Sequence, residues 1–136
     1  MAHLDKLKVT KRVIAAAKPR RKVESPEYRR RKLIAHLEEQ IELALLALAS
    51  KPAELRRKRG HGIVTVRPRL WWKAEPGGTV FTEIRYNKVA LNIAGRGTAI
   101  EVGPLKRLPA VYRTVIRAAK AGELDRSIRT AILKAR

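Results

Sequence analysis

The sequence that decides the fold is Arg69-Leu-Trp-Trp-Lys-Ala-Glu-Pro-Gly-Gly-Thr-Val-Phe-Thr-Glu-Ile-Arg-Tyr86, which continues through Leu91 to Val102. Side chains alternate along it with a period of two, which is typical of strands that bury one face. Within it, Glu75-Pro-Gly-Gly78 predicts a hairpin turn. Tight connections at Asn87-Lys88 and at residues 94–97 complete the prediction of an antiparallel meander of four to five strands.

The alternation divides this stretch into a core face and an open face. The core face is predicted to hold Trp72, Val80, Thr82, Ile84 and Tyr86. On the open face, basic residues lie between aromatic ones, a pattern typical of single-strand binding, in which bases stack on the rings and cations hold the backbone. The candidate binding residues are Arg69, Trp71, Lys73, Phe81, Arg85, Lys88 and Arg96. The alternative is that the long helix or a second subunit covers Trp71 and that the charges form a solvated rim.

A long helix is predicted to precede the sheet. Ser25-Pro26-Glu27 has the N-cap, the first-turn proline and the early acid of a helix start, and Lys51-Pro52 ends the helix near Ser50. Apolar residues repeat along it at helical spacing, and two interpretations stay open: packing on the chain's own sheet, or a coiled-coil contact in a homodimer. The candidate dimer-interface residues are Ile34, Leu37, Ile41 and Leu48.

Two further helices are predicted after the sheet. Pro109 lies at a helix start, Gly122 ends that helix, and Asp125 is a suitable N-cap for the last one. The fold class is therefore α+β: an antiparallel four- to five-stranded sheet with a long N-terminal helix and two C-terminal helices.

Shifts in composition divide the chain into four parts. Residues 1–24 are a basic tail predicted to be flexible, 25–50 the long helix, 51–62 a basic linker, and 63–136 the sheet-plus-helix domain. The linker ends in Gly60-His61-Gly62, which predicts that it stays mobile. Its basic run supplies four further candidates for phosphate binding, namely Arg56, Arg57, Lys58 and Arg59.

The charge of the chain indicates an anionic partner. The 136 residues carry a net charge of +20, and the pI is about 11.4. Such an excess favours nucleic acid as the partner and, less often, an anionic membrane surface. The sequence has no cysteine, which excludes disulfides and thiol chemistry. No apolar run is long enough to span a membrane, and we expect a cytoplasmic protein with no membrane partner.

The sequence offers few residues for catalysis. His3, His36 and His61 are far apart. Glu83 and Glu101 are explained by cross-strand pairing with Arg85 or Arg96. Gly95-Arg-Gly97 lacks the Lys-Ser/Thr that follows in a phosphate-cradling loop. We expect no enzyme activity, no metal site and no cofactor.

The stretch from Thr79 onward resembles the transcriptional-coactivator family of single-stranded-DNA-binding proteins. Val80-Phe-Thr-Glu-Ile-Arg85 is similar to that family's Val-Leu-Val-Asp-Ile-Arg strand, and Gly95-Arg-Gly-Thr-Ala-Ile-Glu-Val102 resembles its Gly-Arg-Lys-Gly-Ile-Ser-Leu segment. The resemblance covers about 50 residues. It implies a four-stranded sheet with one helix, pairing into a dimer, and binding roles for Arg85 and Arg96.

One departure from that family bears on binding. The family's basic, aromatic turn before the second strand is replaced here by Glu75-Pro-Gly-Gly78, and Arg69, Trp71 and Lys73 are the residues that would substitute. The whole chain also resembles uncharacterised small basic proteins of proteobacteria and their phages, in its Arg-rich helix start, its Trp pair and its Ala-Gly-Glu-Leu-Asp125 ending. That likeness implies no function.

These features together predict a homodimeric nucleic-acid-binding protein. We expect a preference for single-stranded DNA with weak sequence selectivity, and a role in the control of transcription or replication. One alternative is a phage-type inhibitor or adaptor whose basic face binds a protein partner. The other is a protein that binds structured RNA.

Overall fold

Three helices and seven strands form the described part of the chain, which is residues 24–134 of the computed structural model. The helices are α1 Pro26–Leu48, α2 Leu108–Lys120 and α3 Asp125–Lys134, with a 3-10 turn at Leu105–Arg107. The strands are β1 Leu55–Arg59, β2 Gly62–Val66, β3 Trp72–Ala74, β4 Val80–Glu83, β5 Arg85–Tyr86, β6 Val89–Ala90 and β7 Ala99–Gly103. The predicted α+β class is confirmed, with one long N-terminal and two C-terminal helices. The predicted flexible tail lies outside the described residues, apart from Glu24.

The strands divide among three small antiparallel sheets rather than one. β3, β4 and β7 form a three-stranded sheet in the order β3-β4-β7, while β1–β2 and β5–β6 are separate hairpins. The break between β4 and β5 falls at Ile84, whose carbonyl accepts a hydrogen bond from the Leu91 amide at 2.7 Å. Beyond it the chain turns back at once through Asn87 and Lys88, which both have positive φ, as a two-residue hairpin loop requires.

The core lies on one side of the three-stranded sheet. Val80, Thr82 and Ile84 are buried, whereas Phe81 and Glu83 between them are only half-buried, which confirms the predicted alternation. The helices supply much of the remaining core, with buried residues Leu33, Leu37, Leu108, Tyr112 and Ile128. Burial of these apolar faces is the main stabilising contribution to the fold.

The segment predicted to be a mobile linker contains a strand. β1 pairs with β2 over its whole length, from Leu55 opposite Val66 to Arg59 opposite Gly62. Two properties of the sequence explain the hairpin. Ile63-Val-Thr-Val66 is entirely β-branched and therefore suited to a strand. Gly60 has a φ of +55°, and it occupies the first position of the two-residue loop, where glycine is favoured.

Two polar contacts fix the ends of the helices. The Ser25 hydroxyl accepts a hydrogen bond from the Tyr28 amide at 3.1 Å, as expected of an N-cap. Asp125 was predicted to precede the last helix as its N-cap. In the structure it is the first residue of α3. Its carboxylate instead accepts two hydrogen bonds from the Arg30 guanidinium, at 3.1 and 2.6 Å, which join α1 to the start of α3.

Candidate nucleic-acid interface

The β1–β2 hairpin carries a group of exposed basic residues close together in sequence. Because directly opposite residues in an antiparallel pair share a face, Arg56 and Lys58 lie on the same face as Thr65 and Ile63. All four are exposed, and Ile63 is 70% exposed. This outer face therefore presents two cations beside an apolar side chain. Arg59, next to the loop, is also exposed.

The inner face of the hairpin attaches it to the body of the protein. Leu55 is buried, and Arg57 forms an ion pair with Glu39 of α1. Of the four basic residues predicted here, Arg57 is thus occupied by an acid. Arg56, Lys58 and Arg59 form no ion pair within residues 24–134. These three cations are the hairpin's candidates for phosphate binding.

The open face of the three-stranded sheet brings a cation and an aromatic ring together. Lys73 of β3 lies directly opposite Phe81 of β4. On the other side of Phe81, β7 places Glu101 opposite it. Trp71 lies just before β3, where its carbonyl accepts a hydrogen bond from the Glu83 amide at 3.0 Å and its half-buried side chain packs partly against the core. The structure therefore places Lys73 and Phe81 on one face, while Trp71 is partly covered by the core.

The same face is close to neutral in charge, which the alternation alone did not indicate. Glu83 binds Arg85 at 2.7 Å and accepts a hydrogen bond from Thr98 at 2.8 Å. Arg85 also donates to the carbonyl of Lys88 at 3.2 Å, so its guanidinium is engaged within the protein. With Glu101 beside Phe81, the face holds two acids against Lys73 and Arg85. It is suited to the bases of a nucleic acid better than to the phosphates.

The remaining predicted basic residues lie in exposed turns and loops. Arg69 precedes the Trp pair, Lys88 lies in the β5–β6 turn, and Arg96 lies in the turn between Ile93 and Gly97. None of the three forms an ion pair with another described residue. They lie in three separate loops, before β3, between β5 and β6, and before β7.

A buried glutamine, which the sequence analysis missed, positions the segment between the hairpin and the sheet. The side-chain amide of Gln40 donates to the carbonyl of Arg69 at 2.9 Å and accepts from the amide of Trp71 at 3.0 Å. It thereby replaces the backbone partners that this segment would have in a strand. The available signal was its place on α1, where Gln40 follows Leu37 by three residues and precedes Ala44 by four, on the core-facing stripe.

A second buried chain of hydrogen bonds fixes the Trp71 backbone to α2. Thr82 donates to the Trp71 carbonyl at 2.9 Å, and its hydroxyl lies 2.8 Å from the Tyr112 hydroxyl. Since a hydroxyl carries one proton, Tyr112 is the donor to Thr82. Burial raises the pKa of Tyr112, which keeps that proton in place. Both Trp71 and Trp72 are half-buried and pack partly against the core.

The predicted dimer-interface residues have different surroundings. Leu37 is fully buried in the core of the single chain, so its side chain is not available to a partner. Ile34 and Ile41 are half-buried and pack against the same core. Leu48 is 42% exposed, and Leu45 near it is also exposed. The α1 stripe is thus used mainly for packing inside the protomer, and its exposed members lie near the C-terminal end of the helix.

Within residues 24–134, no three His, Asp or Glu side chains come together in a group that could hold a metal ion. None of the helices in the same residues has both the length and the apolar character needed to cross a bilayer.

Comparisons of the chain with protein-family models, curated proteins and solved structures found no match.

Proposed function

We propose that this protein binds nucleic acid, with the β1–β2 hairpin holding the phosphate backbone. The observation that carries the proposal is the outer part of the hairpin, where Arg56, Lys58 and Arg59 are exposed and form no ion pair with a described residue. Cations of this kind bind phosphates by releasing condensed counterions, without regard to sequence. A net charge of +20 adds long-range attraction to any polyanion.

The sheet face next to the hairpin would bind the bases of the same strand. Gln40 holds residues 69–71 just before β3, so the chain runs directly from the hairpin through Trp71 into the strand that places Lys73 beside Phe81. Unpaired bases stack on aromatic rings with little dependence on sequence. Because that face is nearly neutral, the phosphates would be held by the hairpin and the bases by Phe81 and Trp71. This division favours single-stranded DNA with weak sequence selectivity.

Binding of three ligands at two salt concentrations tests this proposal. A band-shift comparison of single-stranded DNA, duplex DNA and structured RNA should give the tightest binding to the single strand. Affinity for every ligand should fall with salt, because each phosphate contact contributes about −0.7 to −0.9 to the slope of log K against log salt. The cytoplasmic location, the homodimer and the role in transcription or replication remain predictions that this experiment does not address.

Three results would contradict all or part of the proposal. Equal affinity for single-stranded and duplex DNA would remove the base-stacking role of the sheet while leaving the phosphate-binding role of the hairpin. Absence of binding to all three ligands at low salt would overturn the proposal and favour an acidic protein partner for the hairpin. Tightest binding to structured RNA would favour the RNA-binding alternative.

A further inference from the structure

A second basic surface follows the outer side of α2 and the 3-10 turn before it. It is formed by Lys106, Arg113, Arg117 and Lys120, which are all exposed. Residues 113, 117 and 120 are separated by four and three positions, the spacing that places side chains on one helix face. Residues 105–120 include no acid, and none of the four cations forms an ion pair within the described residues. We call these four residues the α2 stripe.

The hairpin and the junction of α2 and α3 contact opposite sides of α1. The hairpin reaches α1 through the ion pair of Arg57 with Glu39. The junction of α2 and α3 reaches α1 through the contact of Asp125 with Arg30. Positions 30 and 39 are nine residues apart, which is about two and a half helical turns, so their side chains leave α1 in opposite directions. The hairpin and the C-terminal end of α2, where the stripe ends at Lys120, therefore lie toward different sides of α1.

The α2 stripe is also separated from the open sheet face. Thr82 points toward α2, since its hydroxyl contacts Tyr112. Successive residues of a strand point to opposite faces, so Phe81 points away from α2. A strand of nucleic acid stacked on Phe81 lies across the sheet from the α2 stripe.

We propose that the α2 stripe is a second binding surface for a phosphate backbone, so that one protein molecule bridges two nucleic-acid segments. This inference rests on the proposed function, because it assigns the first segment to the hairpin and the sheet. The stripe extends for roughly 20 Å along the helix axis, a length that matches roughly six phosphates along one strand of a duplex. Its exposed neighbours Ala110 and Thr114 are small, which allows the backbone to approach. No aromatic side chain is exposed on α2, and the surface binds phosphate without reading bases.

A capture experiment tests the bridging. One single-stranded oligonucleotide is immobilised, the full-length protein is added, and retention of a second, fluorescent oligonucleotide of unrelated sequence is measured. The test variant is Arg113→Gln with Arg117→Gln. The matched control is Arg31→Gln with Lys51→Gln, which removes the same two charges from exposed positions outside both surfaces.

The inference predicts that wild type and control retain the second oligonucleotide and that the α2 variant does not. Band shifts with a single oligonucleotide should change little in the α2 variant. The salt dependence of the retained signal should become shallower by about 1.4 to 1.8 if residual bridging is measurable, corresponding to two lost phosphate contacts.

Four results would overturn the inference, and each one identifies a different part of it as wrong. Retention by the α2 variant equal to that of the control would assign bridging to another part of the chain. Binding of the first oligonucleotide without retention of the second by wild type would leave the proposed function intact but remove bridging. No binding of the first oligonucleotide would overturn the proposed function itself. Loss of a self-associated species in the α2 variant, measured by light scattering without nucleic acid, would assign the stripe to the exposed acids Glu38 and Glu42 of a second copy.

Discussion

The body of the protein and the β1–β2 hairpin use their polar side chains in opposite ways. In the body, Gln40, Thr82 and Tyr112 are buried and satisfy one another or the backbone. On the outer hairpin, Arg56 and Lys58 are exposed and have no acidic partner among the described residues. Buried polar groups must be paired, because an unpaired one loses its contacts with water without compensation. Exposed cations have no such requirement and remain available to a ligand.

This difference indicates that stability and binding are separable in this protein. Substitutions in the body should lower the free energy of unfolding. They should weaken binding only to the extent that they unfold the protein. Substitutions on the outer hairpin should change binding and leave unfolding unaffected. Each of the following variants tests one side of that separation.

Leu37→Ala should have the largest effect. Leu37 is fully buried against the core, and truncating such a residue to alanine costs about 2–5 kcal/mol in the free energy of unfolding. Denaturant unfolding measures the loss, with Leu48→Ala as the exposed control on the same helix. A Leu37→Ala variant as stable as Leu48→Ala would show that α1 does not pack on the core as described.

Gln40→Ala should lower the free energy of unfolding by about 1–3 kcal/mol, which is less than the effect of Leu37→Ala. The loss arises because the Arg69 carbonyl and the Trp71 amide are left without partners. Gln40→Glu is the matched variant, since a glutamate still accepts from Trp71 but cannot donate to Arg69. We expect its unfolding free energy to be lowered as well. If both variants unfold like wild type, the buried amide is not what holds residues 69–71.

Phe81→Ala tests the sheet side of binding. If bases stack on this ring, the variant should lose about 1–3 kcal/mol of affinity for single-stranded DNA and little for duplex DNA, whose bases are already stacked. Phe81 is half-buried and is not part of the main core, so unfolding should change less than in Leu37→Ala. Titration of both ligands by fluorescence anisotropy provides the comparison. Equal losses for the two ligands would argue against stacking.

The smallest expected effect is on the pH dependence of thermal stability. The hydrogen bonds from Arg30 hold the pKa of Asp125 below its ordinary value of 3.8. A carboxyl with a lowered pKa stabilises the fold above its ordinary pKa, and this contribution is lost as pH falls through the lowered value. Asp125→Asn should therefore unfold at a lower temperature than wild type at neutral pH. The difference between the two should narrow as the pH falls below about 4, as measured by thermal unfolding in a pH series. A constant difference at all pH values would contradict this role.

The sequence was informative where one residue pattern had one structural outcome. The alternation from Val80 to Tyr86 predicted burial residue by residue, and Ser25-Pro26 predicted the start of α1. The basic run at residues 56–59 was misassigned because four charged residues with no alternation give no strand signal of their own. Its strand is formed by pairing with the β-branched Ile63–Val66 segment, which is a property of two segments together.

Electrostatic pairing on the sheet was the least accessible to prediction. Alternation places Lys73 and Phe81 on one face, but it does not give the register that brings Glu101 beside Phe81. The pairing of Arg57 with Glu39 likewise depends on how the hairpin docks on α1. Which predicted cations are free is thus a property of the tertiary structure.

The most direct test of the account is a variant that removes the free cations of the hairpin: Arg56→Gln, Lys58→Gln and Arg59→Gln together. A matched triple variant, Arg31→Gln, Lys51→Gln and Arg129→Gln, removes the same charge from exposed positions elsewhere. For single-stranded DNA, the slope of log K against log salt should become shallower by about 2 in the hairpin variant, because three phosphate contacts are lost. The control should keep the wild-type slope, and both should unfold like wild type. Equal slopes in the two variants would contradict the assignment of phosphate binding to the hairpin.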